Sequence, residues 1–412
     1  MTGLDVASPG GIHLPDAPGV VRHNQAAVEE ILACVREGSY CAVLGPRLSG
    51  KTMLLRYVSR LLGGPLGWTS IYIDLYDLEA ATLAGFFADL IKFVAREVEA
   101  ATGRKLAASA VGSASGAVFR AFLDEAVLSL ERDLVIIVEH LEALPTDLVE
   151  ALLTSLRATY MDQQMLDHRA IVVISGALSL ATLTVGESSP FRGIARRVFV
   201  GDLSAEQSRT LIDEQLGAGG ITFSAKAQRR LLEAGKGDPY LIRNLCGRSL
   251  ERAAAGGHLR GRHVKRIVAD FLRDEVYGYA PLQEAIRLLE DDPDLLRCIL
   301  LLLAHGTVLR SDLPLPLSPD VDPLYLTGVV EPVRPGGGGA GPGAGGQSTG
   351  ERRTGEGYRI QNQIYHEFLA GHFHPGRVGH LLAMAGRWDA ALDYLEAGAR
   401  DGNEQARADL LP

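Results

Sequence analysis

Short apolar runs, separated by longer amphipathic stretches, occupy the first half of the chain. Five of these runs are predicted to be strands, at 39–44, 71–75, 134–139, 170–175 and 197–200. Apolar residues at helical spacing predict helices near 28–35, 51–62, 82–100, 115–130 and 147–158. Strands that alternate with helices predict an α/β domain with a doubly wound parallel sheet, whose ligand binds at the carboxyl ends of the strands.

The chain from 203 to 256 is predicted to be a small helical module. Ser204 is a favourable N-cap residue, and Gln207 lies three residues later, as in a capping box. The segment 236–243 separates two helices. Because this module directly follows the sheet, we interpret it as a lid.

Residues 281–373 combine helices with strands. Two predicted helices are followed by two predicted strands, at 281–290, 293–304, 328–333 and 357–361. This order predicts a winged helix, and the glycine-rich segment 335–356 between the strands is predicted to be disordered. From Pro375 onward the pattern predicts a helical hairpin similar to one tetratricopeptide unit.

A phosphate-binding loop pattern, G-x-x-x-x-G-K-[ST], follows the first predicted strand. Its residues are Gly45, Pro46, Arg47, Leu48, Ser49, Gly50, Lys51 and Thr52. Glycine lets the backbone approach an anion closely, and the following helix adds the positive end of its dipole. We therefore predict nucleoside triphosphate binding, with Lys51 at the β- and γ-phosphates and Thr52 as a ligand of Mg²⁺. Met53 is included among the expected nucleotide contacts.

Other candidate residues lie beside predicted strands and helices. Glu139 ends the strongest apolar run, where a second magnesium-binding carboxylate belongs; the alternative is a strand-end carboxylate that faces water. Ser175 is a candidate to hydrogen-bond the γ-phosphate, or else a residue of the turn. Arg22 either lies along the base or sugar of the nucleotide or faces solvent. Arg192, Arg196 and Arg197 lie at or just before the last predicted strand, and two of the three are expected to be surface charges.

Composition narrows the classes of function. The 412 residues carry a net charge of −9, which argues against broad attraction to nucleic acid or to anionic membranes. Across 281–333 there are nine acidic residues against three basic ones, so we expect no DNA binding by the winged helix. The four cysteines are widely separated in apolar patterns, as expected of reduced thiols in a cytoplasmic protein. No apolar stretch is long enough to span a membrane.

The order of these parts resembles the STAND class of P-loop ATPases, signal-transduction ATPases with numerous domains, and in particular the bacterial AAA-like domain family. The resemblance rests on residues 40–52, Asp74, residues 189–191 and residues 237–241. An extra strand between the P-loop strand and the acidic strand is typical of the AAA-like, or ASCE, branch, whose strand order is 5-1-4-3-2.

The resemblance implies five parts of the chain: an N-terminal arm (1–22), a P-loop domain (23–202), a helical lid (203–260), a winged-helix-like domain (261–374) and a helical hairpin (375–412). It implies ATP or ADP with Mg²⁺ as cofactors, and Pro239 beside the adenine as a sensor of lid closure. It also implies that Arg196, among the three arginines 192, 196 and 197, is a candidate arginine finger. It also implies a switch: an ADP-bound resting state opens and then associates with itself or with a protein partner through the C-terminal half. The alternatives are a transcription regulator that uses the winged helix on DNA, and a simple active ATPase.

One position departs from the family pattern. His140 follows Glu139, where members of the family carry a second carboxylate that orients the attacking water. A neutral imidazole can accept a proton near pH 7, but it lacks the fixed negative charge. Glu142 lies one residue too far along to replace the missing base. We therefore expect slow hydrolysis or none.

Overall fold

The structure is a computed structural model that describes residues 24–45, 48–78, 82–106, 115–176, 189–253, 257–313, 324, 327–333 and 357–410. Several sequence predictions lie outside these residues: those for the arm 1–22 with Arg22, for Pro46 and Arg47, and for the glycine-rich segment 335–356. The chain divides into two compact units, residues 1–201 and residues 202–412.

Five parallel strands form the sheet of the first unit: β1 (Tyr40–Leu44), β2 (Thr69–Asp74), β3 (Leu134–Glu139), β4 (Ala170–Gly176) and β5 (Ala195–Phe199). Their order is β2-β3-β4-β1-β5, and every neighbouring pair is parallel. The predicted fold class and the predicted order 5-1-4-3-2 are therefore confirmed. Since parallel strands all end at one edge, the residues that follow β1 and β3 lie at the same edge, separated by the width of β4.

Helices cover the strands of the first unit: α1 (Gln25–Glu37), α2 (Lys51–Gly63), α3 (Leu83–Thr102), α4 (Gly116–Leu130) and α5 (Thr146–Asp162). Strands β1, β3 and β4 are buried along their whole length, because a parallel sheet carries helices on both faces. On one face, Val28 and Ile31 of α1 and Leu54 and Val58 of α2 belong to the same apolar cluster as Val43 of β1.

The second unit begins with helices α6 (Ala205–Ala218), α7 (Ala225–Gly235), α8 (Pro239–Arg252) and α9 (Gly261–Asp274). Two short parallel strands, β6 (Thr222–Phe223) and β7 (His258–Leu259), lie among them. The predicted capping box is present, because Ser204 accepts from the amide of Gln207 and the side chain of Gln207 accepts from the amide of Ser204.

Helices α10 (Ala280–Asp291) and α11 (Pro293–His305) lead to an antiparallel sheet of β8 (Thr307–Leu309), β9 (Val330–Val333) and β10 (Gly357–Ile360), in the order β8-β10-β9. The sequence predicted only β9 and β10. Three residues are too few to show an alternating pattern, and β8 exists because β10 supplies its hydrogen-bond partners. The described chain ends with α12 (Gln363–His372), α13 (Pro375–Met384), α14 (Trp388–Arg400) and α15 (Glu404–Asp409).

A buried carboxylate, that of Asp238, joins separate helical segments of the second unit. Asp238 is the N-cap of α8, and its Oδ1 accepts from the amide of Leu241 at 2.8 Å. Its Oδ2 accepts from the hydroxyl of Tyr365 at 2.6 Å and from the hydroxyl of Tyr279. Burial raises the pKa of Asp238, and these hydrogen bonds oppose that shift because they favour the ionised form. Pro239 occupies the first turn of α8, where its missing amide hydrogen leaves no helical bond unmade.

A second carboxylate, that of Asp202, lies close to Asp238. The pKa of Asp202 is raised to about 7, mainly by burial and then by the negative charges of Asp238 and Glu331. A hydrogen bond from Gln361 and the charge of Lys236 act in the opposite direction. The folded state therefore holds this proton more tightly than the unfolded chain, whose aspartates titrate near 3.8.

We predict that ionisation of Asp202 makes the second unit less stable as pH rises. Because the folded pKa lies above the unfolded one, stability is fully present near pH 4 and is lost as pH rises to about 7, by at most about 1.4 kcal/mol per pH unit. Asp202→Asn should flatten this dependence. The dependence is measured by urea unfolding between these pH values. The fluorescence of Trp388, in a Trp68→Phe background, reports the unfolding. Parallel pH profiles for the two proteins would contradict the assignment.

Candidate nucleotide site

The loop after β1 is tightly packed at its first residue and sharply turned near its end. A Cβ atom on Gly45 would lie 2.2 Å from the carbonyl oxygen of Val200, so no larger residue fits there. Leu48 and Gly50 have φ angles of 64° and 94°, in the left-handed region that favours glycine. This backbone leads directly into α2, whose first residue is Lys51.

Two side chains of the loop indicate that it binds an anion. The Lys51 Nζ atom donates to the carbonyl oxygen of Gly45 at 2.8 Å, so the ammonium group lies against the start of its own loop. The hydroxyl of Ser49 is buried and has no hydrogen-bond partner in the described part of the chain. An unpaired buried hydroxyl costs about 1–3 kcal/mol, and a phosphate oxygen would supply the missing partner.

The two residues predicted to hold Mg²⁺ lie together. The Thr52 Oγ1 atom donates to Oε1 of Glu139 at 2.7 Å, although 87 positions separate these residues in the chain. Glu139 ends β3 and is only 1% exposed, so it is not a strand-end carboxylate that faces water. A hydroxyl beside a carboxylate at the foot of a phosphate loop is a donor set that suits a hard cation such as Mg²⁺.

Tyr72, which the sequence did not single out, completes the surroundings of Glu139. Its hydroxyl donates to Oε2 of Glu139, so both carboxylate oxygens have a partner. Burial and this hydrogen bond raise the pKa of Tyr72, which keeps its hydroxyl protonated and able to donate. The guanidinium of Arg56 lies 5.2 Å from the centre of the Tyr72 ring. Side chains alternate between the two faces of a strand, so Tyr72 lies on the same face of β2 as Asp74. This alternation was the sequence signal that could have identified Tyr72 as a residue of the site.

His140 is paired with an acidic side chain at the same edge of the sheet. Its backbone turns into the left-handed region, with φ of 63°, directly after β3. The Nδ1 atom lies 2.8 Å from Oδ1 of Asp74, the last residue of β2, and the ring lies 4.8 Å from that of Tyr76. When Nδ1 carries the proton that it shares with Asp74, the lone pair is on Nε2. The sequence treated His140 as an isolated imidazole, but the structure gives it a carboxylate partner.

Other predicted residues differ in how close they lie to the loop. Ser175 is 1% exposed near the end of β4, in register with Val43 of the P-loop strand, and its hydroxyl has no partner among the described residues. Met53 is 41% exposed in the first turn of α2. Arg196 lies at the amino end of β5, away from the carboxyl edge, and forms a salt bridge with Glu37. Pro239 lies in the second unit, on α8.

No protein-family model matches the sequence, and no curated protein matches it. Among solved structures, the Walker-type ATPase of Pyrococcus abyssi is similar over 86% of this chain and 96% of that chain, with 15% identity and a TM-score of 0.53. The chain has the fold of a P-loop ATPase. At this identity the likeness concerns the fold alone.

Two further structures match less closely. The Cdc6p protein of Pyrobaculum aerophilum has 17% identity and a TM-score of 0.43, over 92% of this chain and 97% of that chain. The Aeropyrum pernix Orc1 protein, solved in complex with DNA, has 16% identity and a TM-score of 0.40, over 87% and 95%. Within the described ranges of this P-loop protein, no helix is long and apolar enough to cross a membrane.

We predict that Gly45→Ala destabilises the first unit by about 1–3 kcal/mol, because the new methyl group meets a backbone carbonyl that cannot rotate away. Gly63→Ala is the matched control: this glycine is the last residue of α2, and its Cβ would meet no atom within 4 Å. The control should be neutral or slightly stabilising. Urea unfolding of both variants measures the difference, and equal midpoints would refute the close packing at Gly45.

Proposed function

We propose that this protein binds ATP and ADP with Mg²⁺ and acts as a regulatory switch of the STAND type with slow hydrolysis. One observation carries the nucleotide-binding part of the proposal: Thr52 and Glu139, the two predicted magnesium ligands, form a 2.7 Å hydrogen bond beneath a phosphate-binding loop. A hydrogen bond with a purely structural role would not require the adjoining loop and its lysine. Nor would it require the buried hydroxyls of Ser49 and Ser175, which have no partner among the described residues.

The proposed contacts with the ligand follow from this arrangement. Residues 45–52 surround the phosphates, and Lys51 neutralises the β- and γ-phosphates. Thr52 and Glu139 hold Mg²⁺, which when bound offsets the charge of the same phosphates. Ser175 donates to the γ-phosphate or to a water beside it. The nucleoside contacts that we propose are Met53, Arg22 and Pro239.

The second unit has features that suit the transmission of a nucleotide state to a partner. Within that unit, Asp238 fixes the start of α8 to the hydroxyls of Tyr279 and Tyr365, so the Gly-Asp-Pro segment cannot move without disturbing these partners. On the C-terminal hairpin, Trp388 and Leu392 are one helical turn apart and are 53% and 46% exposed. Exposed apolar residues on one face suit contact with a protein partner or with a second copy of the chain.

Because His140 is paired with Asp74, we propose that ATP is hydrolysed slowly, and not that hydrolysis is absent. The shared proton orients the ring and leaves one nitrogen free to accept a proton from water. The position after Glu139 carries this imidazole in place of the carboxylate that would hold that proton with a fixed charge. Arg196 remains a proposed arginine finger toward a neighbouring subunit, a role that would require release of its salt bridge with Glu37.

We predict that the purified protein retains ADP or ATP and that Lys51→Ala abolishes retention, because the phosphates lose their mobile cation. Identification of the released nucleotide by chromatography after denaturation is the measurement. Thr52→Val tests the role of the metal separately. This variant should keep the loop intact, but Mg²⁺ should no longer strengthen its binding of ATP. A wild-type protein with no nucleotide and no measurable affinity for ATP would end the proposal.

We predict that His140→Glu raises the rate of ATP hydrolysis, by about tenfold or more, because a carboxylate restores the fixed charge beside the attacking water. His140→Asn, which has no base, should lower the rate below that of the wild type. Steady-state phosphate release from the purified proteins measures both. A wild-type rate of many turnovers per second, unchanged in His140→Asn, would favour a simple active ATPase over a switch.

A further inference from the structure

Charge is unevenly distributed along this acidic chain. Residues 225–273 contain twelve lysines and arginines against four aspartates and glutamates, whereas the whole chain has a net charge of −9. The expectation of no DNA binding rested on that net charge and on residues 281–333, and neither describes this segment. A strongly basic segment within an acidic protein concentrates positive potential at one place.

The fold gathers six of these twelve cations on one surface of the second unit. Helix α9 exposes Arg262, Lys265 and Arg266, and Arg260 is exposed immediately before it. The start of α7 lies beside the start of α9, because a Cβ atom on Gly261 would lie 2.8 Å from Cγ of Lys226. We call the surface of Lys226, Arg252, Arg260, Arg262, Lys265 and Arg266 the basic face.

Most of these cations have no carboxylate partner. Lys226, Arg260, Arg262, Lys265 and Arg266 form no salt bridge with any other described residue, whereas Arg252 is paired with Asp270. Unpaired cations close together repel one another, and the repulsion is relieved when an anion binds between them.

A cavity of about 530 Å³ opens in the basic face between α8, β7 and α9. Two guanidinium groups, Arg252 and Arg266, and two imidazoles, His258 and His263, line it, and none of its lining residues is acidic. A phosphate group is the anion that such a set of donors suits best, since arginine presents a planar pair of N–H groups to two phosphate oxygens.

The remaining side chains of this region help to decide which polyanion binds the basic face: an anionic membrane, a single-stranded nucleic acid or a duplex. Val264, Ile267 and Phe271, the apolar side of α9, are buried in the core of the unit, so the helix has no apolar face to insert into a membrane. Among the described residues of this segment, Tyr240 is the exposed large apolar side chain, and its ring stacks on that of Tyr279. The described part of this segment therefore has no row of exposed aromatic rings on which the unpaired bases of a single strand would stack.

We propose that the basic face binds the phosphate backbone of duplex DNA without regard to sequence. The cations supply phosphate contacts only, and the cavity at Arg252 and Arg266 receives one phosphate group. This proposal is independent of the nucleotide site, because none of its residues belongs to the first unit.

Fluorescence anisotropy with a labelled duplex of about 20 base pairs, at about 50 mM salt, tests the proposal on the full chain. The wild type should bind with micromolar affinity, and affinity should fall steeply as salt is added. The triple variant Arg262→Ala, Lys265→Ala, Arg266→Ala should bind at least about tenfold more weakly. Its slope of log affinity against log salt should be smaller by about three, one for each lost phosphate contact.

The matched control removes the same charge from the first unit: Lys92→Ala, Arg96→Ala, Arg104→Ala, three exposed cations. It should bind like the wild type, and Arg262→Lys with Arg266→Lys should retain most of the affinity. Absence of wild-type binding at low salt, or an equal loss in both triple variants, would overturn the proposal. So would tighter binding to a single strand of the same length, or to vesicles of phosphatidylcholine with phosphatidylserine.

Discussion

The hydrogen bond between Thr52 and Glu139 is the contact on which the rest of the first unit depends. It joins the first turn of α2 to the last residue of β3 across 87 positions. The two groups meet because β1 and β3 run parallel, end at one edge and are spaced by β4. Since Glu139 is almost fully buried, its carboxylate is tolerable only if both oxygens have partners, and Thr52 and Tyr72 provide them.

The buried carboxylate of Glu139 lies at the carboxyl edge of the sheet, next to several other polar side chains. The chain leaves β3 through a left-handed residue, His140, and this turn brings its ring to Asp74 at the end of the adjacent strand. The same edge carries the buried hydroxyls of Ser49 and Ser175, which have no partner among the described residues. The edge is thus built to hold a charged ligand, while the residue that would complete a fast catalyst is an imidazole.

The second unit uses burial and charge in a different way. Asp238 is buried and organises its neighbours through tyrosine hydroxyls. Burial raises the pKa of the nearby Asp202, and the negative charge of Asp238 adds to that effect. On the outside of the same unit, α9 presents cations around Arg266 that form no salt bridge with any described residue. The negative net charge of the chain comes from residues outside 225–273, so it does not describe this surface.

The strand order of the sheet was expected from the resemblance to the AAA-like branch. The sequence by itself determined what depends on local order: the phosphate loop, the alternation of strands and helices, and the capping box at Ser204. These follow from periodicity and from interactions within a few residues. Only the tertiary structure decided the pairs that sheet register brings together, namely Tyr72 with Glu139 and His140 with Asp74. It also decided that Arg196 faces Glu37 at the opposite edge from the loop. Such pairs join residues that are distant in the chain, and no local pattern records which strand ends will lie side by side.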